Sequence, residues 1–409
     1  MWPRSSRRRF APIFGALAAT LIACGGTTAS NRDGAIADAS VGSDIAPKTD
    51  GSAPSADGPS DAIGDAVSDA QAVKTIDGWV IALSPTLLNV LSLDTAGILT
   101  KRSVVSVPSL VRHFVVSADN RFVYALGSTI LAFSLDATTG ALGPINEVVT
   151  TLVNPSGVTI DPSGHWLIVS DRALGVFVFS VLPDGSVGAQ VGTPMGGPFP
   201  TAGTFDPSGQ FVFVPFCDAD TIVRYVLDPA TGALTPGTPE IRLTVGSFPN
   251  HVAFHPTGLS AYAFNIGNQT ITSFNYTSTS GALEAPEDVA YLRSGQPGTS
   301  AGFCHIHHFA LHPSGKFAYA TLPEVGGLVA VMSVAPSGRL TVVDHQYYFL
   351  FRGADPLVVD PTGTFLLVGN DSGGTQSFRI DPADGKLTFT ATSLSSVFGL
   401  RFVQNKKTQ

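Results

Sequence analysis

A short turn pattern, Asp/His-Pro-Ser/Thr-Gly, recurs along this chain and restricts its fold more than any other feature. It stands at Asp161-Pro162-Ser163-Gly164, Asp206-Pro207-Ser208-Gly209, His255-Pro256-Thr257-Gly258, His312-Pro313-Ser314-Gly315 and Asp360-Pro361-Thr362-Gly363. Two degenerate copies precede these, Ser117-Ala118-Asp119-Asn120 and Asp77-Gly78. The last turn residues fall at 78, 120, 164, 209, 258, 315 and 363, a period of about 47 residues. Self-similarity at such a period marks a repeat architecture.

Every unit has the same internal order. An apolar run such as Val158-Thr159-Ile160 leads into the turn, where Pro presets φ and Gly accepts a positive φ. A β-rich run follows, for example Phe211-Val212-Phe213-Val214, then an alternating one such as Thr270 to Tyr276. A second turn closes on Gly140-Ala141-Leu142, Gly232-Ala233-Leu234, Gly281-Ala282-Leu283, Gly338-Arg339-Leu340 or Gly385-Lys386-Leu387, and a fourth strand completes the unit. Four antiparallel strands per unit predict an all-β, seven-bladed β-propeller. The first unit opens at Gly78-Trp79-Val80 without an inner strand, while the chain finishes on an orphan run, Val397 to Val403. Pairing that run with the first sheet closes the ring. Neighbouring blades would then bury both faces of each sheet, which fits a charged content of 13% against the roughly 25% of ordinary globular chains.

The N-terminus reads as an address. Arg4, Arg7, Arg8 and Arg9 precede an apolar run that ends Leu21-Ile22-Ala23-Cys24-Gly25, like a bacterial lipoprotein signal. Residues 1–23 are expected to be removed, Cys24 to carry lipid, and the net charge of −8 to become −12 with the loss of four arginines. Residues 24–77 hold nine aspartates and almost no large apolar side chain, so they are expected to be a disordered acidic linker before the propeller, 78–409. The expected location is the cell envelope, with the membrane engaged through the lipid. An acidic chain offers no field for gripping phosphate backbones, so nucleic acid is not expected as a partner, and a monomer is. An intervening blade separates Cys217 from Cys304, so no bridge is expected between them.

Phe248-Pro249-Asn250-His251-Val252-Ala253-Phe254-His255-Pro256 resembles the P-R-H-x-x-F-H-P stretch of the seven-bladed lactonase family. That family includes the 6-phosphogluconolactonase-like proteins and the fungal carboxymuconate cyclases. His312 to Tyr319, and Ser377 to Pro382 with Gly385 to Thr388, are similar to it as well, so the resemblance spans residues 78–409. It implies His, Arg and Glu side chains at one end of the central channel that hold a carboxylate and move protons at a lactone. The family's H-x-H pair falls here on Phe199 and Thr201, its arginines on Asn250 and Asp355, and its glutamate on Ile266. Two functions therefore stand: a lactone hydrolase or cyclase working at the channel mouth, and a non-catalytic propeller that binds a sugar-like ligand, a glycan, a peptide or a protein.

Counting six places back from each turn proline gives Arg112, Ser156, Thr201, Asn250, His307 and Asp355, a polar ring expected near one mouth. The densest polar cluster is Cys304-His305-Ile306-His307-His308, with His251 at the register of His308 one blade earlier. His305 and His307 share a strand face in the manner of a metal-binding H-x-H pair, but no third ligand is evident, so neither metal nor cofactor is expected. The catalytic candidates are His251, His305, His307, His308 and Arg112. The ligand-binding candidates are Asn250, Asp355, Ser156 and Thr201. His255 and His312 occupy the Asp position of the turns, where a structural hydrogen bond is expected.

Overall fold

The computed structural model describes residues 75–108, 111–197, 199–238, 240–289, 292, 308–322, 327–347, 356–370, 374–393 and 397–404. Cys24, Cys304, His305, His307 and Asp355, with the expected signal and most of the linker, lie outside the described residues. The described strands fall within a compact unit, Ala70–Gln409, and form seven antiparallel sheets. No helix among the described residues is long and apolar enough to cross a membrane.

From the channel outward, blade 2 consists of His113–Val116, Phe122–Leu126, Thr129–Leu135 and Leu142–Val149. Blade 3 follows with Pro155–Ile160, Trp166–Asp171, Gly175–Val181 and Val187–Met195, and blade 4 with Thr204–Phe205, Phe211–Phe216, Thr221–Leu227 and Leu234–Pro236. Ile241–Arg242 extends the broken outer edge of blade 4. The inner strands of blades 5, 6 and 7 are Pro249–Phe254, Phe309–Leu311 and Leu357–Val359. Blade 1 draws on both chain ends: Gly399–Val403 is its inner strand, paired with Trp79–Ser84, then Leu87–Leu93 and Leu99–Ser106. The register runs from Trp79↔Val403 to Leu83↔Gly399, so the orphan run closes the ring as its pattern predicts.

The period-2 alternation of the second strands divides each blade between two cores. Val80 and Ala82 pack against blade 7 beside Phe365 and Leu367, whereas Ile81 and Leu83 pack against blade 2 beside Phe114 and Val123. Seven buried apolar clusters result among the described residues, one at each blade junction. The turn motifs lock the junctions. Asp161 accepts backbone hydrogen bonds from Ser163, His165 and Trp166 at 3.0, 2.8 and 2.6 Å, holding the turn. Trp166 then lies against Gly232 in the second turn of the next blade, where any Cβ would strike the indole, and Gly232 has φ +73°. Trp79 meets Gly140 in the same way.

His255 and His312 do what their turn position suggests, with an addition. Each Nε2 donates to the glycine carbonyl of the next blade's turn, Gly315 or Gly363, at 2.9 Å. Each Nδ1 accepts from a backbone N–H within its own turn. These imidazoles are blade-to-blade staples.

Cys217 is disulfide-bonded, and both other cysteines lie outside the described residues. An intervening blade would hold the Cys217 and Cys304 sulfurs apart only if Cys217 stayed over blade 4. Instead its short turn, Cys217–Ala219, carries it into the cluster between blades 5 and 6, beside Tyr262, Phe264 and Phe309. Loops on this face reach across their neighbour, so strand spacing does not bound their separation.

Candidate functional site

The inner strands enclose a central cavity of about 350 Å³ that opens where those strands begin. Strand alternation sorts each inner strand into side chains that wedge between blades and side chains that face the lumen. Phe114, Val158, Phe309, Leu357 and Leu400 are the buried wedges. The lumen-facing residues form rings. One ring sits opposite the fifth residue of each second strand and holds His113 against Leu126, His251 against Phe264 and His308 against Thr321. Two residues deeper, about 7 Å along a strand, comes a ring of Val115, Thr159, Thr204, Ala253, Ala310 and Val358. Its seventh member is Arg401, paired with Ile81 in blade 1.

At the rim lie Arg112, Ser156, Thr201 and Asn250, four of the six positions counted back from the turns. Their side chains have different occupations. The Ser156 hydroxyl donates to Pro200 O at 2.6 Å and the Thr201 hydroxyl to Asn250 O at 2.8 Å. Both are buried and tie one blade to the next, which leaves only their lone pairs for a ligand. The Arg112 guanidinium lies over the Phe398 ring, 5.5 Å from its centroid. Arg172 is set at the rim by Asp171, a fully buried carboxylate that accepts from Val153 and Asn154 N–H at 2.7 Å and from Ala173 and Leu174 N–H at 2.8 and 3.0 Å.

Of the proposed catalytic residues, the structure brings His251, His308 and Arg112 to this cavity; His305 and His307 are outside the described residues, as is Asp355. Three lining groups escaped the sequence reading: His113, Arg172 and Arg401. His113 follows Arg112 at the register of His251 and His308, so the turn count could have found it. Arg401 could be found only by laying the orphan strand on the units, and Arg172 belongs to a loop without a repeat signal.

The lumen is electropositive. Among the described residues its wall carries three arginines and three histidines but no Asp or Glu. Burial and the charges of Arg172 and Arg112 push the His113 imidazole down to about 4, with Arg401 adding to the effect. A hydrogen bond to Pro155 acts in the opposite sense; proline has no N–H, so the imidazole is the donor. Burial, then Arg401, pushes His251 down to about 4 as well. Both imidazoles are therefore neutral at pH 7. Burial also lowers the pKa of Arg172, an effect that the Asp218 charge opposes, and of Arg401, for which no carboxylate among the described residues opposes it. Neutral bases beside cationic hydrogen-bond donors can take a proton from water and hold a developing oxyanion. Among the described residues no three His, Cys, Asp or Glu side chains group as metal ligands.

Known proteins carry the same architecture. A 6-phosphogluconolactonase of Yersinia pestis (strain Pestoides F) is 26% identical over 313 residues, 74% of this chain and 89% of the relative. That of Yersinia enterocolitica is 24% identical over 314 residues, with 74% and 90% coverage. Among solved structures, the periplasmic gluconolactonase of Pseudomonas aeruginosa superposes with a TM-score of 0.69 at 20% identity, covering 80% of this chain and 99% of its own. A Bacteroides fragilis propeller superposes with a TM-score of 0.71 at 22% identity, covering 80% and 98%. Residues 84–397 match the family described as Lactonase, 7-bladed beta-propeller, and this chain belongs to that family.

Proposed function

We propose that the protein hydrolyses a small lactone in the channel. The observation that carries this reading is the pairing of neutral imidazoles with arginines in a lumen whose described wall has no acid. His251 takes a proton from a water that adds to the lactone carbonyl. An arginine N–H, from Arg112 or Arg401, holds the oxyanion that forms. As the ring C–O bond breaks, the imidazolium returns its proton to the leaving alkoxide, and the product is a hydroxy acid that ionises to its carboxylate by releasing a proton to water. The arginine-rich wall favours that anion over a neutral ligand. The names of the Yersinia relatives and of the Pseudomonas structure support a lactone as substrate class. With the N-terminal signal read as above, the enzyme works in the cell envelope, tethered through Cys24, on a lactone met outside the cytoplasm.

A non-catalytic propeller is the second reading, and one observation favours it. Ile266 stands where the resemblance places glutamate, and it is 3% exposed, packed in the core between blades 5 and 6. Turnover separates the two readings. The purified protein is incubated with D-glucono-δ-lactone and with unsubstituted five- and six-membered lactones, and release of acid is followed. For a hydrolase, His251→Ala should lower kcat/KM by about a hundredfold, as expected for loss of a general base. No turnover above the spontaneous rate would leave the binding reading.

A further inference from the structure

We infer that Arg401 is the oxyanion anchor of the channel, and that an anion held there also fastens the ring, because Arg401 lies on the strand that closes it. The inference rests on the channel being the ligand site, but not on catalysis. In the deep ring, six blades contribute Val, Thr or Ala, and the closing strand alone contributes a charge. The positions that the resemblance gives to arginine are rim positions in the turn count, so the cation at this depth comes from the closing strand.

The surroundings of Arg401 ask for a counter-ion. Much of its surface meets the water of the lumen, yet the walls enclose the guanidinium enough for burial to lower its pKa. Among the described residues it has no ion pair, and its one hydrogen bond is a long contact, 3.5 Å, with the carbonyl of Leu400. Arg112 and Arg172 line the same cavity and add to its positive charge. A guanidinium has five N–H donors in a planar fork that matches two oxygens of a carboxylate or phosphate. In the lumen the guanidinium is otherwise paired only with water among the described residues, and an anion that reaches it gains charge-assisted, bidentate hydrogen bonds. The chemical class is thus a small molecule with a carboxylate or phosphate group, of a size for about 350 Å³.

Closure enters through the neighbours of Arg401. Leu400 and Val403, each 2% exposed, are the apolar pegs of the same strand, and the backbone of Arg401 pairs with Ile81. A ligand that grips the guanidinium while touching the histidine ring of other blades ties the two chain ends to the rest of the ring. The same anion cancels part of the positive field on His251, so it makes that imidazole a better base.

Thermal unfolding of the purified protein tests the inference, with D-gluconate and inorganic phosphate as probes and sodium chloride matching the ionic strength. The wild type should show a saturable rise in Tm with at least one probe. Which probe acts identifies a carboxylate or a phosphate as the group held. Arg401→Gln should be no less stable than wild type without the probe and should bind it at least tenfold more weakly. Arg121→Gln, the same charge change on the turn face, should keep the full rise. Should Arg401→Gln fail to fold, hydrogen exchange of the wild type decides: the probe should slow amides of Trp79–Leu83 and Gly399–Val403 more than those of blade 4. A rise retained in Arg401→Gln, no rise in the wild type with either probe, or equal slowing in all blades overturns the inference. Lactone turnover with an unchanged KM in Arg401→Gln would sink it and leave the hydrolase standing. Probe-dependent stabilisation without turnover would do the reverse.

Discussion

Lowering the pH from 7 to 4.5 should destabilise the propeller through His113 and His251. Each imidazole titrates near 4 in the folded protein, below the value of 6.5 for an unhindered histidine. Between those values the unfolded chain binds protons that the folded chain refuses, so stability is complete above pH 6.5 and falls as the pH drops toward 4. A gap of this size corresponds to about 3 kcal/mol per group when the loss is complete, and to roughly 2.5 kcal/mol per group at pH 4.5. Together the pair removes about 5 kcal/mol from a total that is ordinarily about 5–15 kcal/mol. Four aspartates lose their contribution below this window. Asp136, Asp184, Asp228 and Asp384 are held below their usual range by hydrogen bonds from neighbouring residues, so their contribution is lost only as the pH falls below about 3.8. Urea unfolding followed by tryptophan fluorescence, in dilute chloride without multivalent anions, gives the free energy at both pH values. The variant His113→Gln/His251→Gln should lose less than about 1 kcal/mol over the same interval. An equal loss in wild type and double variant would refute the argument, because the titrating groups would then lie elsewhere.

Removing residues 399–409 takes away the inner strand of blade 1 and its two buried pegs, Leu400 and Val403. Burial of two such side chains is worth about 3–6 kcal/mol before any hydrogen bond is counted, and the deletion also opens the cores on both sides of blade 1. The shortened chain should lose its cooperative melting transition in calorimetry; a compact product that still melts sharply would contradict closure by this strand. Thr201→Val removes a buried hydroxyl that donates to Asn250 O at 2.8 Å. It should lower stability by about 1 kcal/mol and leave KM for any substrate nearly unchanged, since that hydroxyl staples blades. A large rise in KM at unaltered stability would instead show that its hydroxyl serves the ligand.

The histidines show how far the repeat could be read as chemistry. His255 and His312 were legible because they replace Asp in a motif whose geometry is local. Ser156, Thr201 and Asn250 were legible as positions on a rim, since counting from the turn fixes depth along the channel. Their roles were not legible, because a hydroxyl that serves a ligand and one that serves the next blade's carbonyl occupy the same place in the sequence. His113 was within reach of the same count. Arg172 was not, because its position depends on the buried Asp171 organising two loops at once.

Seven four-stranded units of one pattern, and a last run that completes the first, are legible in the chain before it folds. Turn residues, aromatic strand starts and period-2 alternation act over a few residues, so each copy declares its structure independently. Where charge sits in the lumen and where Cys217 reaches depend on the closed ring. Arg401 and Ile81 come from opposite ends of the chain and meet through ring closure, and Cys217 of blade 4 joins the buried cluster of blades 5 and 6. Local rules specify the blades, but the electrostatics of the channel arise from seven strands converging on one axis.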